Sequence, residues 1–201
     1  EKQSHPCELY INQKDGSFTE ESSKYNLSSI EGFIKGVVFG DINNDKWPDL
    51  YISVMGGNNL LFKNDFGKFK NISETAGVQG PDFSFPTWFW DVNNDGFNDL
   101  FVASYDTRNT QNIAGDFAKE LQSKKVLSNK SKLYINNGDE TFSDHSSTFN
   151  VDKSFYAMGS NFGDLDNDGW LDFYIGTGSP EFTSVVPNRM FRNVDGISFE
   201  E

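Results

Sequence analysis

Short apolar runs separated by turns rich in Gly, Asp and Asn recur along the whole chain. One unit appears four times: an apolar residue, an aromatic residue, an Asn two positions later, a polar turn and a Phe. Its copies read LYINQKDGSF from Leu9, LFKNDFGKF from Leu61, LYINNGDETF from Leu133 and MFRNVDGISF from Met190. Apolar runs joined by such a turn are typical of a β-hairpin.

A second unit recurs three times and alternates with the first. It reads GVVFGDINNDKWPDLYISV from Gly36, TWFWDVNNDGFNDLFVAS from Thr87 and GSNFGDLDNDGWLDFYIGT from Gly159. Two apolar runs flank an acidic loop, which predicts a second kind of hairpin. The two hairpins together make a four-stranded unit of roughly 50 residues, which is typical of a blade of a β-propeller. A β-sandwich is the alternative all-β fold, but it does not repeat its sequence blade by blade.

The repeats divide the chain into about three and a half blades of four antiparallel strands within one domain, 1–201. We expect a half blade at 1–32 and blades at 33–80, 81–150 and 151–201. A closed propeller needs at least about four blades. The chain is therefore expected to be part of a larger propeller, whose remaining blades come from a longer chain or a second chain.

The blade at 81–150 carries an insert at 105–132. Within it Ile113, Phe117 and Leu121 recur every four residues, which predicts a short amphipathic helix between loop-like flanks. Long loops often bind partners. The sequence leaves open whether this insert binds a partner or only decorates the blade.

Composition narrows the classes of protein that remain. The chain has 20 Phe, 7 Tyr and 4 Trp, and this aromatic content argues against a disordered protein. The net charge is −13, and the sequence shows no basic face of the kind that binds nucleic acid or an anionic membrane. No apolar run approaches the ~20 residues that cross a bilayer. A single Cys excludes a disulfide framework within the chain.

Acidic residues are concentrated in the three loops, which hold ten of the 30. Each loop offers oxygen atoms at its first, third, fifth and ninth positions, with a backbone carbonyl at the seventh. The candidate ligands are Asp41, Asn43, Asp45, Trp47 and Asp49 in loop one; Asp91, Asn93, Asp95, Phe97 and Asp99 in loop two; and Asp164, Asp166, Asp168, Trp170 and Asp172 in loop three.

Oxygen atoms at this spacing favour a hard cation, and a ligand set this large favours Ca²⁺ over Mg²⁺. The loops contain no His or Cys, which transition metals prefer. The alternative, three acidic turns without an ion, would leave the repulsion between neighbouring carboxylates uncompensated. An EF-hand would need a Glu at position twelve and flanking helices. Position twelve is instead Ile52, Val102 or Ile175, inside strand-like runs.

Loop one differs from the other two at its sixth position. Loops two and three have Gly96 and Gly169 there, whereas loop one has Lys46 followed by Pro48. A left-handed backbone costs a residue with a side chain about 1–2 kcal/mol. The sequence therefore predicts three Ca²⁺ sites, of which the first is the weakest.

These residues give the chain a clear family resemblance. It resembles the FG-GAP/VCBS-repeat proteins, and MGSNFGDLDNDGWLDFYIGTG followed by VPNRMFRNVDG is most similar to their ASPIC/UnbV-associated branch, which includes cartilage acidic protein. The resemblance implies a seven-bladed propeller with structural Ca²⁺ loops. It also implies a secreted, cell-surface or periplasmic protein that binds or adheres to an extracellular protein or glycan.

Two functions from different classes remain open. The first is a non-enzymatic, calcium-stabilised module for extracellular binding or adhesion. Extracellular modules bind Ca²⁺ with a Kd near 10⁻⁴–10⁻³ M, which is useful only where calcium is abundant. The second is a carbohydrate-active propeller, a polysaccharide lyase or a lectin, with Ca²⁺ near the sugar. No nucleophile and base stand out in the sequence to support an enzyme.

Overall fold

The computed structural model describes residues 6–179 and 185–201. This part of the chain is built almost entirely of short antiparallel strands. The strands are β1 (Tyr10–Asn12), β2 (Phe18–Glu20), β3 (Ile34–Gly40), β4 (Asp49–Val54), β5 (Leu60–Asp65), β6 (Lys68–Asn71), β7 (Ser84–Trp90), β8 (Asp99–Ser104), β9 (Lys132–Asn136), β10 (Phe142–Asp144), β11 (Ala157–Gly163), β12 (Asp172–Thr177), β13 (Arg189–Val194) and β14 (Ser198–Glu200). The helices in this part are α1 (Ser73–Ala76), α2 (Ile113–Leu121) and a 3-10 helix (Thr107–Asn112).

The strands pair only with their neighbours along the chain. Strands β1 and β2 form a two-stranded sheet, the half blade. The first blade is the sheet β3-β4-β5-β6, the second is β7-β8-β9-β10 and the third is β11-β12-β13-β14. All of these pairs are antiparallel. Most partners within a blade are joined by a short turn or loop, whereas the insert separates β8 from β9.

The blades pack face to face, and three apolar clusters fill the spaces between them. One lies between the half blade and the first blade, one between the first and second, and one between the second and third. The second strands of the first and second blades place alternate side chains in the clusters on their two sides, as the pleat requires. In β8, Leu100 and Val102 join the cluster towards the first blade, whereas Phe101 and Ala103 join the one towards the third.

The predicted all-β fold of four-stranded antiparallel units is confirmed. The aromatic run of Trp88, Phe89 and Trp90 is buried blade core, because its alternate side chains enter the clusters on either side of the second blade. The number of blades in a closed ring stays a prediction. The first five residues of the predicted half blade lie outside the described residues.

The predicted helix in the insert is also confirmed, at α2. Its N-terminal flank differs from the expected loop, because Thr107–Asn112 is a 3-10 helix whose first turn is capped by the Asp106 side chain. Buried Asp116 of α2 accepts hydrogen bonds from Asn109, Ser128 and Tyr156. This polar network fixes the insert against the start of the third blade.

A buried Arg that makes two ion pairs holds α2 to the third blade. Arg189 of β13 is 4 % exposed, and its guanidinium donates to the carboxylates of Glu120 at the end of α2 and of Glu201.

No helix in the described residues is both long and apolar enough to span a bilayer.

Candidate metal centres

Each acidic loop joins the first and second strands of one blade. Loop one (41–48) lies between β3 and β4, loop two (91–98) between β7 and β8, and loop three (164–171) between β11 and β12. Strands flank all three loops, so the helix-flanked geometry of an EF-hand is absent from them. The ninth-position Asp of each loop is the first residue of the following strand.

The first Asp of each loop folds the loop around its own carboxylate. In loop two, Asp91 accepts the backbone N–H of Asp95 at 3.0 Å and that of Gly96 at 2.8 Å. Asp41 accepts the equivalent pair in loop one at 3.1 and 2.8 Å. Asp164 does so in loop three at 3.1 and 3.0 Å. The same local geometry is therefore built three times.

The ninth Asp of each loop, at the start of the second strand, ties its own loop to the third strand of the blade. Asp99 accepts the N–H of Val92 at 3.0 Å with one oxygen and the N–H of Asn136 in β9 at 2.8 Å with the other. Asp49 and Asp172 repeat both contacts at 2.8–2.9 Å, with Ile42 and Asn64, and with Leu165 and Asn193. These carboxylates are almost completely buried.

Burial changes the electrostatics of the ninth position in loops one and two. It raises the pKa of the Asp49 carboxyl to about 6 and that of Asp99 to about 7, against the opposing effect of their backbone donors. The ionised form of a buried carboxylate costs free energy unless a positive charge lies close to it. A divalent cation in the loop would supply that charge.

Loop three brings three carboxylates together. One oxygen each from Asp164, Asp166 and Asp172 lies within 4.8 Å of the others, and among the described residues this is the one such group of His, Cys, Asp or Glu side chains. Oxygen atoms bound to one Ca²⁺ at about 2.4 Å lie within about 5 Å of each other. The spacing and the all-oxygen donor set fit that ion. Asp168 lies outside the group, and its carboxylate accepts the N–H of Trp170 at 2.9 Å.

Loops one and two have Asn where loop three has Asp166. The amide of Asn43 donates to Asp45 at 2.9 Å, and that of Asn93 donates to Asp95 at 2.8 Å. Each Asn thus orients the fifth-position carboxylate of its own loop. Its carbonyl oxygen is an uncharged candidate ligand for a cation.

The aromatic residue at the seventh position is held in two ways. The backbone N–H of Trp47 and of Phe97 donates to the fifth-position Asp at 2.8 and 2.9 Å. Its ring packs on the turn between the third and fourth strands of the same blade. Trp47 contacts Phe66 with ring centroids 5.7 Å apart, and Phe97 lies against Gly138. Both contacts restrict the peptide whose carbonyl is the candidate ligand.

The sixth position has a left-handed backbone in every loop. The φ angle is 74° at Lys46, 90° at Gly96 and 93° at Gly169. Only Lys46 carries a side chain into this conformation, which L-residues adopt at a cost. Loop one is therefore the loop whose backbone is the least favourable.

Replacing Lys46 with Gly is expected to raise the free energy of unfolding by about 1 kcal/mol, because Gly adopts the left-handed conformation without steric cost. Chemical denaturation measures the change. Lys46→Ala is the matched control: it removes the same ammonium but keeps a β-carbon, so it should give no such gain. Equal gains in both variants would show that charge, rather than backbone conformation, limits loop one.

Two sets of Asn residues were not recognised as part of the site from the sequence. Asn136 and Asn193 belong to the first repeated hairpin, but their side chains reach the loop of the preceding blade. Asn44 and Asn94, at the fourth position of their loops, contact the loop of the following blade. Their recurrence at fixed positions in each repeat was the available signal.

The blades, their order and their loops define a β-propeller-type repeat domain. The family model described as FG-GAP-like repeat matches residues 3–52 and 91–175, which is more than half of the chain. The chain belongs to the FG-GAP-like repeat family. A search of curated proteins finds no match.

Proposed function

We propose that this domain is a non-enzymatic binding module whose three acidic loops each hold a structural Ca²⁺. The observation that carries the proposal is the threefold repetition of one oxygen-rich loop with the same internal hydrogen bonds. The fit of loop three to the dimensions of a calcium site supports it. The proposed ligands are the fifteen residues named from the sequence.

An ion in each loop would stabilise the blades directly. It would join the end of one strand to the start of the next and would reduce the repulsion between carboxylates. Three divalent ions would offset six of the thirteen excess negative charges. Because the first Asp of each loop holds the loop and the ninth Asp holds a neighbouring strand, we assign these carboxylates a structural role and no catalytic one.

The location and partner belong to the same proposal. Calcium loops of millimolar to sub-millimolar affinity work where calcium is abundant, so we place the protein outside the cell, secreted, on the cell surface or in the periplasm. The motifs around loop three support membership of the ASPIC/UnbV-associated branch and a seven-bladed ring. In that ring the remaining blades come from a longer or second chain, and the module adheres to an extracellular protein or glycan.

Calorimetric titration of the metal-free domain with Ca²⁺ should show three binding sites. Asp45→Ala, Asp95→Ala and Asp168→Ala should each remove or weaken one site, because these exposed side chains belong to the loops without supporting the core. Loss of Asp45 should have the smallest effect, since loop one is expected to bind least tightly. A titration without saturable binding would rule out the proposed function, and an equal effect of all three variants would rule out the ranking.

A second candidate, binding of an acidic polysaccharide, is supported by one cavity. A cavity of about 450 Å³ beside α2 is lined by Lys124, Lys125, Lys130 and Lys153, with Glu120 and Asp152. None of the ion pairs in the described residues involves Lys124 or Lys125. The cavity is therefore cationic in a protein whose net charge is −13. Loop two precedes β8, whereas the insert that lines the cavity follows the other end of this strand. The cavity is therefore separate from the metal centres.

Dextran sulfate should bind the domain, and uncharged dextran should not. Lys124→Ala with Lys125→Ala should weaken that binding about five-fold, because each exposed charge contributes only modestly. Lys14→Ala with Lys70→Ala is the control of equal charge. Equal losses in both double variants would show that no cavity is involved. Release of unsaturated sugar from an acidic polysaccharide would identify a lyase instead of a binding module.

A further inference from the structure

Neighbouring acidic loops contact each other through one repeated hydrogen bond at their rims. The side-chain amide of Asn44 in loop one donates to the carbonyl of Gly96 in loop two at 3.0 Å. The side-chain amide of Asn94 in loop two donates to the carbonyl of Gly169 in loop three at 3.2 Å. In both cases the fourth position of one loop contacts the sixth position of the next.

These bonds join the parts of the loops that would surround an ion. The fourth-position Asn lies between the third and fifth candidate ligands, and its backbone is left-handed, with φ of 59° at Asn44 and 54° at Asn94. The accepting carbonyl at the sixth position lies between the fifth and seventh candidate ligands. An ion that orders one loop would therefore also hold in place the amide or carbonyl group that bonds to the neighbouring loop.

A second repeated contact joins the loops at their bases. Buried Asn136 donates its side-chain amide to the carbonyl of Ile42 in loop one at 2.8 Å, while its backbone N–H donates to Asp99 of loop two. Buried Asn193 likewise donates to Val92 in loop two at 2.9 Å and to Asp172 of loop three. One residue thus contacts the ninth ligand of its own blade and the loop of the blade before it.

We propose that the three loops bind their ions cooperatively, and that Asn44 and Asn94 at the rim, with Asn136 and Asn193 at the base, are the positioning residues that couple them. The inference rests on the proposed calcium function. An ion that orders one loop lowers the ordering cost of the loop bonded to it, which makes binding at the two sites mutually favourable. The coupling is reciprocal, as linkage requires.

The order of the loops predicts an asymmetric pattern. Loop two contacts both others, whereas no hydrogen bond joins loops one and three among the described residues. Disabling loop three with Asp168→Ala should therefore raise the half-saturating calcium concentration of loop two about five-fold. The half-saturating calcium concentration of loop one should change much less. A general loss of stability would weaken both remaining loops alike.

Amide NMR of the 22.7 kDa chain can follow each loop separately. The reporters are the backbone N–H groups of Lys46, Gly96 and Gly169, each of which donates to the first Asp of its loop. Calcium titrations would be recorded for four proteins: the unmodified chain, Asp168→Ala, Asn94→Gly, and the double variant with Asp168→Ala and Asn94→Gly. Glycine adopts the left-handed backbone of Asn94 without steric cost and removes the side chain that carries the amide.

In the Asn94→Gly background, Asp168→Ala should raise the half-saturating calcium concentration of loop two by clearly less than the five-fold expected with Asn94 present. Asn167→Gly is the matched control: it has the same position in loop three, and no following loop is present among the described residues. It should leave the curve of loop two unchanged. If Asp168→Ala leaves the calcium titration curves of loops one and two unchanged, the proposed coupling is wrong, although the calcium sites themselves stand. Absence of calcium-dependent shifts at all three reporters would overturn the proposed function itself.

Discussion

Chelation of divalent ions is expected to lower the midpoint of thermal unfolding by about 10 °C. Ions that bind only the folded state add stability that grows with their concentration. At a tenfold excess over the Kd each site contributes about 1.4 kcal/mol, and three sites together contribute about 4 kcal/mol. For a chain of this size 1 kcal/mol corresponds to about 2–4 °C. Differential scanning calorimetry with calcium and with a chelator measures the difference.

The control for this experiment is the triple variant Asp45→Asn, Asp95→Asn and Asp168→Asn. It keeps the size of each fifth-position side chain and removes one negative charge from each loop. Its midpoint should respond to calcium much less than that of the unmodified chain. A midpoint of the unmodified chain that is the same with calcium and with chelator would contradict the role assigned to the loops.

Replacing Phe173 with Ala is expected to lower the free energy of unfolding by about 3–5 kcal/mol. Phe173 of β12 is fully buried, and its ring lies 4.6 Å from Phe191, 4.9 Å from Phe199 and 5.1 Å from Phe101. Phe101 belongs to the second blade, so the ring bridges two blades. Its removal would leave a cavity in the largest apolar cluster, and cavities of this kind carry that cost.

Denaturant unfolding of Phe173→Ala and of Phe66→Ala would test this assignment. Phe66 is 80 % exposed at the tip of the turn after β5, so its replacement should cost less than about 1 kcal/mol. A similarly small cost for Phe173→Ala would show that the second and third blades do not depend on this packing.

Much of the fold was predictable because each blade is encoded locally. The turn residues and the apolar runs of one hairpin lie within about 20 residues of each other, so the two repeated units, with LYIN and DVNNDG as examples, predicted both hairpins. The helix α2 was predictable for the same reason, since Ile113, Phe117 and Leu121 follow the period of a helix. The 3-10 helix before it was not, because it depends on a cap by Asp106 and on contacts that Asn109 makes with α2 and with Tyr156.

The candidate ligands were readable for a similar reason, but their electrostatics were not. Nine consecutive residues supply all the proposed ligands of a loop, so their spacing is visible in the sequence. The raised pKa of Asp99 depends on its complete burial beneath loop two and beside Asn136 of β9, 37 positions away. The residues around Asp99 in the sequence do not show that a strand distant along the chain will bury it.

The sequence by itself determined the all-β repeat, the three acidic loops and the unfavourable Lys46, since each of these follows from residues close together in the chain. Only the tertiary structure decided which loops touch. Asn94 and Gly169 are 75 positions apart, and their contact arises because two blades pack face to face. The order of the blades, rather than any local motif, therefore makes three separate loops into one connected array.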